Sequence, residues 1–202
     1  MSFTGDKDSD NHITPINIWT DIEKYIPKDK IIWSPFYCDG KQKEYFEEIG
    51  YNIIHEDKDF FSVQPEYDII IDNPPFSKCK EVCVRLKELD KPFIIILAHH
   101  TFQYKRFQRP FKDHLQLIIP DKRMKFKSHI DNKLTNLPFD CYYFCYKMDL
   151  PKDIIRNDLL NYLKYLQETV DSFDEQSSDS DEEEAEEKYN VGQTEDGFYY
   201  LK

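Results

Sequence analysis

Tyr67-Asp68-Ile69-Ile70-Ile71-Asp72-Asn73-Pro74-Pro75-Phe76-Ser77 decides how this chain is read. The apolar run at 69–71 predicts a buried strand, and two consecutive prolines cannot extend its ladder because they donate no amide hydrogen. The backbone must therefore leave the sheet at Asn73 in a fixed, extended turn. Ser77 is then placed to cap a helix that begins at Lys78. A strand ending in Asn-Pro-Pro-Phe ahead of a helix sets an amide and a ring at the carboxyl edge of a sheet, where open α/β folds bind their ligands.

Upstream, Ile18, Trp19, Ile22, Tyr25 and Ile26 recur at helical spacing behind Thr14-Pro15, and Pro27 closes that helix. Ile31-Ile32-Trp33 is a short buried strand leading into the loop Ser34-Pro35-Phe36-Tyr37-Cys38-Asp39-Gly40. A second helix buries Tyr45, Phe46 and Ile49 and stops at Gly50. Residues 51–55 form the next strand, ending in Glu56-Asp57-Lys58-Asp59 before Phe60-Phe61. Only a short connection then reaches the strand at 67–71, so the usual intervening helix or strand is missing or reduced.

Downstream, residues 78–89 predict a helix burying Cys79, Val82, Cys83, Leu86 and Leu89. Residues 93–97 are apolar throughout, as strands buried on both faces are. A helical piece at 102–112, a strand at 115–119 stopped by Pro120, a basic aperiodic loop and an aromatic strand at 139–146 follow. Strands alternating with helices imply right-handed βαβ units in a mostly parallel α/β sheet, closed by an antiparallel strand. Residues 153–170 predict an amphipathic helix through Ile155, Leu159, Tyr162, Leu163, Leu166 and Val170. The expected organisation is a disordered segment 1–13, a domain 14–150, a helix within 151–173 and an acidic disordered tail 174–202.

The net charge of −12 is unevenly placed. Residues 171–202 hold 12 acidic and 2 basic side chains, leaving 27 acidic and 25 basic in the rest. Within that rest, residues 104–133 carry nine Lys or Arg against three Asp, interleaved with Tyr104, Phe107 and Phe111 just after Phe102. Clustered cations with aromatics suit phosphate attraction plus base stacking, although a charge run also serves as a plain solvated face. No apolar run reaches the ~20 residues a bilayer requires and no signal peptide is visible, so the expectation is a soluble intracellular protein with no membrane partner. Five cysteines, an odd number lying mostly in apolar segments, suit reduced thiols. Cys79, Cys83, Cys141 and Cys145 are expected to be small buried residues rather than a zinc site, because one pair lies on a helix and the other on a strand. No metal is expected.

Asp/Asn-Pro-Pro-Phe at a strand end resembles the catalytic loop of N6-adenine methyltransferases that use S-adenosylmethionine, and over residues 14–146 the likeness is closest to small methyltransferase-like proteins of phages and large viruses. The resemblance implies a Rossmann-like class I methyltransferase fold. An exocyclic amine is a poor nucleophile because its lone pair is delocalised into the ring. The side-chain oxygen of Asn73 and the carbonyl of Pro74 would accept its hydrogens, Pro74 and Pro75 would hold both acceptors rigid, and Phe76 would stack on the base.

The loop 34–40 resembles the family's cofactor loop, with Pro35-Phe36 and Asp39-Gly40 retained. It departs from the pattern at Ser34, where Asp or Glu is usual, and at Cys38, where Gly is common; both changes are expected to weaken cofactor binding. Thr14 resembles the family threonine that faces the cofactor carboxylate, and is equally well a plain helix cap. Glu56 or Asp57 would meet the ribose hydroxyls, and Asp59-Phe60 resembles the motif that holds the cofactor adenine, with the choice among the three acids left open. His99 and His100 stand near the site and could line it, but methyl transfer to a neutral amine needs no strong general base, so they are expected to be ordinary loop residues.

The resulting expectation is methyl transfer from S-adenosylmethionine to adenine N6 in DNA or RNA. Two other readings stand beside it: methylation of a protein glutamine, against which Phe76 argues because that class carries Tyr, and a degenerate fold acting as an interaction module. The acidic tail could recruit a protein partner or compete with nucleic acid for the basic window. Residence in the cytoplasm or nucleus of a host, or in a virion, goes with the viral likeness, and the oligomeric state is left open.

Overall fold

Short isoleucine-rich runs become strands here because both of their faces are covered. The structure, a computed structural model, describes residues 12–128, 132–156, 191–193 and 199–201. The chain divides into two compact units, Met1–Asp158 and Leu159–Lys202.

In the first unit β2 (Ile31–Trp33), β3 (Asn52–Ile54), β4 (Ile69–Asp72) and β5 (Phe93–Ala98) run parallel in the spatial order β3-β2-β4-β5. β9 (Cys141–Tyr146) lies antiparallel between β5 and β6 (Leu115–Ile119), and β10 (Ile154–Arg156) adds to β6 in parallel. This is the expected Rossmann-like class I arrangement with one antiparallel strand. Between β3 and β4 there is no strand or helix, as the short connection predicted. That connection fills its place with rings instead: Phe60 and Tyr67 lie 5.4 and 4.8 Å from Trp33, centroid to centroid.

Alternation along the strands sorts the core into two layers. Ile69, Ile71, Ile94, Ile96, Tyr143 and Cys145 face α1 (Ile16–Thr20) and α2 (Gln42–Glu48), where Trp19 and Phe46 are fully buried. Ile70, Phe93, Ile95, Leu97, Phe144 and Tyr146 face α3 (Cys79–Leu89) and α4 (Lys105–Phe111). Each buried Ile, Leu or Phe among them stabilises the fold by ~1.5–3 kcal/mol relative to exposure. A small second sheet joins β1 (His12–Ile13), β7 (Phe126–Ser128) and β8 (Leu134–Thr135), all antiparallel.

Several expectations are corrected. The helix after the Asn73-Pro74-Pro75 turn starts at Cys79 with Lys78 at its cap position, because Phe76–Lys78 first closes a tight 3-10 turn, so Ser77 is not the cap. His12–Ile13 is paired to Lys127 and Ser128 rather than disordered. The basic loop contains β7 and β8, whose three- and two-residue lengths are too short to leave a periodic signal. Residues 154–156 form β10 instead of beginning a helix, since Ile155 is taken up by the sheet edge; the remainder of 157–173 lies outside the described residues. Within the expected tail, β11 (Val191–Gln193) and β12 (Tyr199–Leu201) pair antiparallel, and its other residues lie outside the described set.

Phe107 and Phe111 are core residues, 1% and 0% exposed, because i,i+4 spacing on α4 turns both toward the sheet; only Phe102 and Tyr104 of that group are exposed. Cys83 packs in one core layer and Cys141 and Cys145 in the other, so the sheet separates the two thiol pairs, and no metal-binding cluster occurs among the described residues. No helix among them is long and apolar enough to cross a membrane.

Candidate active site

The parallel strands β2, β3 and β4 end side by side, and the residues following each meet there. Ile71 and Asp72 are the last buried positions of β4, after which the prolines take the backbone out of the sheet. The Asp72 side chain is 1% exposed and turns back toward the neighbouring loop. Its Oδ2 accepts from Ser34 Oγ at 3.0 Å and from the Phe36 amide at 2.6 Å, and its Oδ1 accepts from the Asn73 amide at 2.7 Å. Burial pushes its carboxyl up to about 6, against the downward pull of the Phe36 amide, the nearby His55, the Asn73 amide and the Ser34 hydroxyl.

Asn73 is anchored at one end of its amide and free at the other. Its Nδ2 donates to Thr14 Oγ1 at 3.0 Å, while its Oδ1 is buried with no hydrogen-bond partner among the described residues. An acceptor held dry and unpaired costs about 1–3 kcal/mol unless a donor is supplied. Thr14 makes no cap bond to α1, so its hydroxyl serves the Asn73 amide rather than the helix. The same narrow cleft is lined by Ile13, Thr14, Phe36, Cys38, Asp39, Asp72 and Asn73.

The loop 34–40 is held from below by its neighbours. The Ser34 amide donates to Ile54 O at 2.9 Å, and the His55 ring nitrogen Nδ1 lies 2.7 Å from Ser34 O. His55 also stacks on Tyr37, with centroids 5.1 Å apart at 24°. Gly40 has φ +77°, a conformation that favours glycine, and a Cβ there would stand 2.7 Å from the Tyr37 hydroxyl oxygen, so the tyrosine ring would have to shift as well. Cys38 takes the same left-handed region at φ +48°. Its thiol is pushed up to about 11 by burial and by the carboxylates of Asp39 and Asp72. Pro35 is buried beneath the loop. Asp39 Oδ1 accepts from the Lys41 amide, and Oδ2 has no hydrogen bond among the described residues, with the Lys41 ammonium at 3.8 Å.

The remaining predicted residues stand apart from this cleft. Glu56 lines a second cleft with Trp33, Lys58, Val63, Gln64 and Pro65, and its hydrogen bond to Lys58 lowers its carboxyl. Asp59 is tied to Ser62 Oγ at 2.5 Å and to the Phe61 amide at 3.2 Å, bonds that lower its carboxyl and close the turn. Asp57 is exposed. Phe60 sits between the clefts, 5.0 Å from Phe36 and 5.4 Å from Trp33.

On the other side of Asn73 lies a row of rings. Phe76 meets Phe139 edge-on at 5.2 Å and Phe126 at 6.3 Å; His100 meets Phe139 at 5.7 Å and Tyr104 at 5.9 Å. His99 bonds to Asp140 O and neighbours Tyr142. The basic window does not form one surface. Lys125 and Lys127 flank or lie on β7 near this row, whereas Lys112 lines a cleft with His114 and Lys147 at the opposite end of the sheet. Arg123 is engaged by Asp140 at 3.0 Å and by Leu137 O. Sequence reasoning missed Asp72, His55 and Phe139 as site residues. Only Asp72 had a visible signal, a charge closing an otherwise apolar strand.

The family described as adenine-specific methyltransferase EcoRI matches residues 13–137. No curated protein matches the chain. Among solved structures, a provisional RNA methyltransferase from Pyrococcus horikoshii is similar with TM-score 0.46 and 13% identity, over 72% of this chain and 92% of that one. A dimethyladenosine transferase from Plasmodium falciparum gives 0.44 and 11%, over 66% and 62%. The E. cuniculi Mtq2–Trm112 complex, responsible for methylating the eRF1 translation termination factor, gives 0.41 and 12%, over 71% and 96%.

Proposed function

This chain belongs to the adenine-specific methyltransferase EcoRI family, whose methyl donor is S-adenosylmethionine, and we propose that it methylates N6 of adenine in nucleic acid. The observation that carries the proposal is the Asn73 amide: Nδ2 occupied by Thr14, Oδ1 buried and unpaired. A buried acceptor of that kind at the end of a proline-locked loop is complementary to an amine hydrogen.

The residues present fit the cofactor. It is a sulfonium bearing an ammonium group, and the cleft at Asn73 is lined by the carboxylates of Asp39 and Asp72, with one Asp39 oxygen free of hydrogen bonds among the described residues. Asp39 and the loop 34–40 would hold its amino-acid portion, and Glu56 its ribose hydroxyls, with Phe36 and Phe60 as the apolar wall. Bound there, the cofactor supplies an electrophilic methyl group. Asn73 Oδ1 and the Pro74 carbonyl would each accept one hydrogen of the adenine amine, drawing the nitrogen toward tetrahedral geometry and freeing its lone pair. Phe76 and Phe139 would separate to admit the base, and Phe76 would stack on it. A duplex adenine would first have to leave its stack, whereas a single-stranded one would not.

Labelled S-adenosylmethionine incubated with a panel of single- and double-stranded DNA, RNA and protein substrates tests this reading. N6-methyladenine as the product, abolished by Asn73→Ala in a folded protein, is the expected result. Label on protein glutamine, or retained activity in Asn73→Ala, overturns it.

A further inference from the structure

Position 34, where the resemblance leads one to expect a carboxylate, holds a fully buried serine; a carboxylate does stand in that space, but it comes from the next strand. β2 and β4 pair in parallel with Trp33 opposite Ile70, so the residues just beyond the pair lie side by side. Asp72 reaches across from β4 to take Ser34 Oγ at 3.0 Å and the Phe36 amide at 2.6 Å on one oxygen, and the Asn73 amide at 2.7 Å on the other. From the far side, β3 contributes His55, which meets Ser34 O at 2.7 Å and is 6% exposed.

We propose that Asp72 is the positioning carboxylate of the cofactor loop, taking over from residue 34 and joining the loop that grips the cofactor to the loop that grips the amine. The inference rests on the reading of 34–40 as the cofactor loop. Three donors converge on one group from two loops, so shifting either loop breaks a bond to the other. A carboxylate suits this place because it is acceptor-only. An amide at 72 would have to turn its NH2 either toward the Asn73 amide or toward Ser34 and Phe36, and a donor would then face a donor. A purely structural role accounts poorly for the charge, because burying a carboxylate costs stability that a neutral side chain of similar volume would not. Asp72 also lines the cleft beside Asp39, which adds negative potential where a cationic cofactor would lie.

The swap of the two residues tests the idea, since exchanging them conserves volume and charge. Full-length Asp72→Asn, Asp72→Ser and the double variant Ser34→Asp/Asp72→Ser are compared with wild type by calorimetric titration with S-adenosylmethionine and by hydrogen exchange at the Phe36 amide. Loss of a charge-assisted bond predicts affinity lower by about 10- to 100-fold in both single variants, with Phe36 exchange faster by about tenfold or more. The double variant is expected to recover affinity to within about threefold of wild type. Unchanged affinity and exchange in Asp72→Ser, or a double variant no better than Asp72→Ser, overturns the proposal. Should Asp72→Ser fail to fold, the near-isosteric Asp72→Asn carries the same two readouts. Asp39→Ala separates the premise from the inference. If it binds cofactor like wild type, the cofactor-loop reading fails, while Phe36 exchange still reports whether Asp72 holds the loop.

Discussion

The Asn73 amide nitrogen sits 3.0 Å from the Thr14 hydroxyl, and its carbonyl oxygen is buried and has no hydrogen-bond partner among the described residues. Residue 14 precedes the first helix and residue 73 follows the fourth strand, so a contact between remote parts of the chain sets which end of the amide faces the cleft. Without it, the amide could turn over and present a donor to an amine that is itself a donor.

Thr14→Val keeps the volume and removes the hydroxyl. Its expected effect is a fall in kcat of about tenfold with little change in S-adenosylmethionine affinity, because orientation is lost rather than binding. Asn73→Ala removes the acceptor and is expected to lower kcat by about 100-fold or more with the melting temperature retained. Steady-state kinetics beside thermal melts check both; equal losses of stability and rate would assign the pair to folding alone.

Phe76→Leu should raise KM for an adenine oligonucleotide while leaving cofactor binding unchanged, since a stacked base contributes about 1–3 kcal/mol. The ring contacts Phe139 at 5.2 Å, so Phe139→Leu is expected to act in the same direction. Oligonucleotide titration of both variants against wild type reads this directly.

Asp72 predicts opposite pH trends for stability and for binding. Burial raises its carboxyl to about 6 in the folded protein from 3.8, with His55 and Cys38 as its titratable neighbours. A raised folded-state value means the native state holds the proton more tightly. Its contribution to stability is therefore full below about pH 4 and is lost as pH rises through about 6. From this group, the melting temperature should rise as pH falls from 7 to 5. Affinity for S-adenosylmethionine should fall over the same interval, because a protonated carboxyl no longer accepts from all three donors. Melting and calorimetry between pH 5 and 8 should show both trends in wild type and neither in Asp72→Asn.

Cys38 and Gly40 share the left-handed region at φ +48° and +77°. Cys38→Gly is expected to stabilise the folded chain by up to about 1 kcal/mol by removing the Cβ penalty, less whatever the greater freedom of the unfolded chain costs. Gly40→Ala is expected to destabilise it, because φ +77° strains any side chain and the new Cβ would also displace the Tyr37 ring. Denaturant unfolding of the two variants gives the signs.

Much of the site could be read locally. A proline pair after an apolar run dictates where the backbone leaves the sheet, and the prolines restrain the backbone at Asn73. Ile94 and Ile96 against Phe93, Ile95 and Leu97 follow from period-two alternation, which any strand obeys. The readings that failed involve choices local chemistry does not make. Phe107 and Phe111 are aromatic residues in a basic stretch, and only the helix they lie on turns them inward. β1, β7 and β8 are two or three residues long and exist because they pair with one another. Ile155 fits an amphipathic helix or a sheet edge equally well, and the open edge of β6 took it.

From the amino-acid sequence alone came the strand exits, the rigid acceptor at Asn73 and the glycine at 40, because sterics of neighbouring residues determine them. Only tertiary structure decided that Asp72 answers Ser34 and the Phe36 amide from 38 and 36 residues away, that His55 backs the same loop, and that Thr14 orients Asn73 across 59 residues. Hydrogen bonds between distant segments depend on strand order and register, which long-range packing sets and no short stretch of sequence encodes.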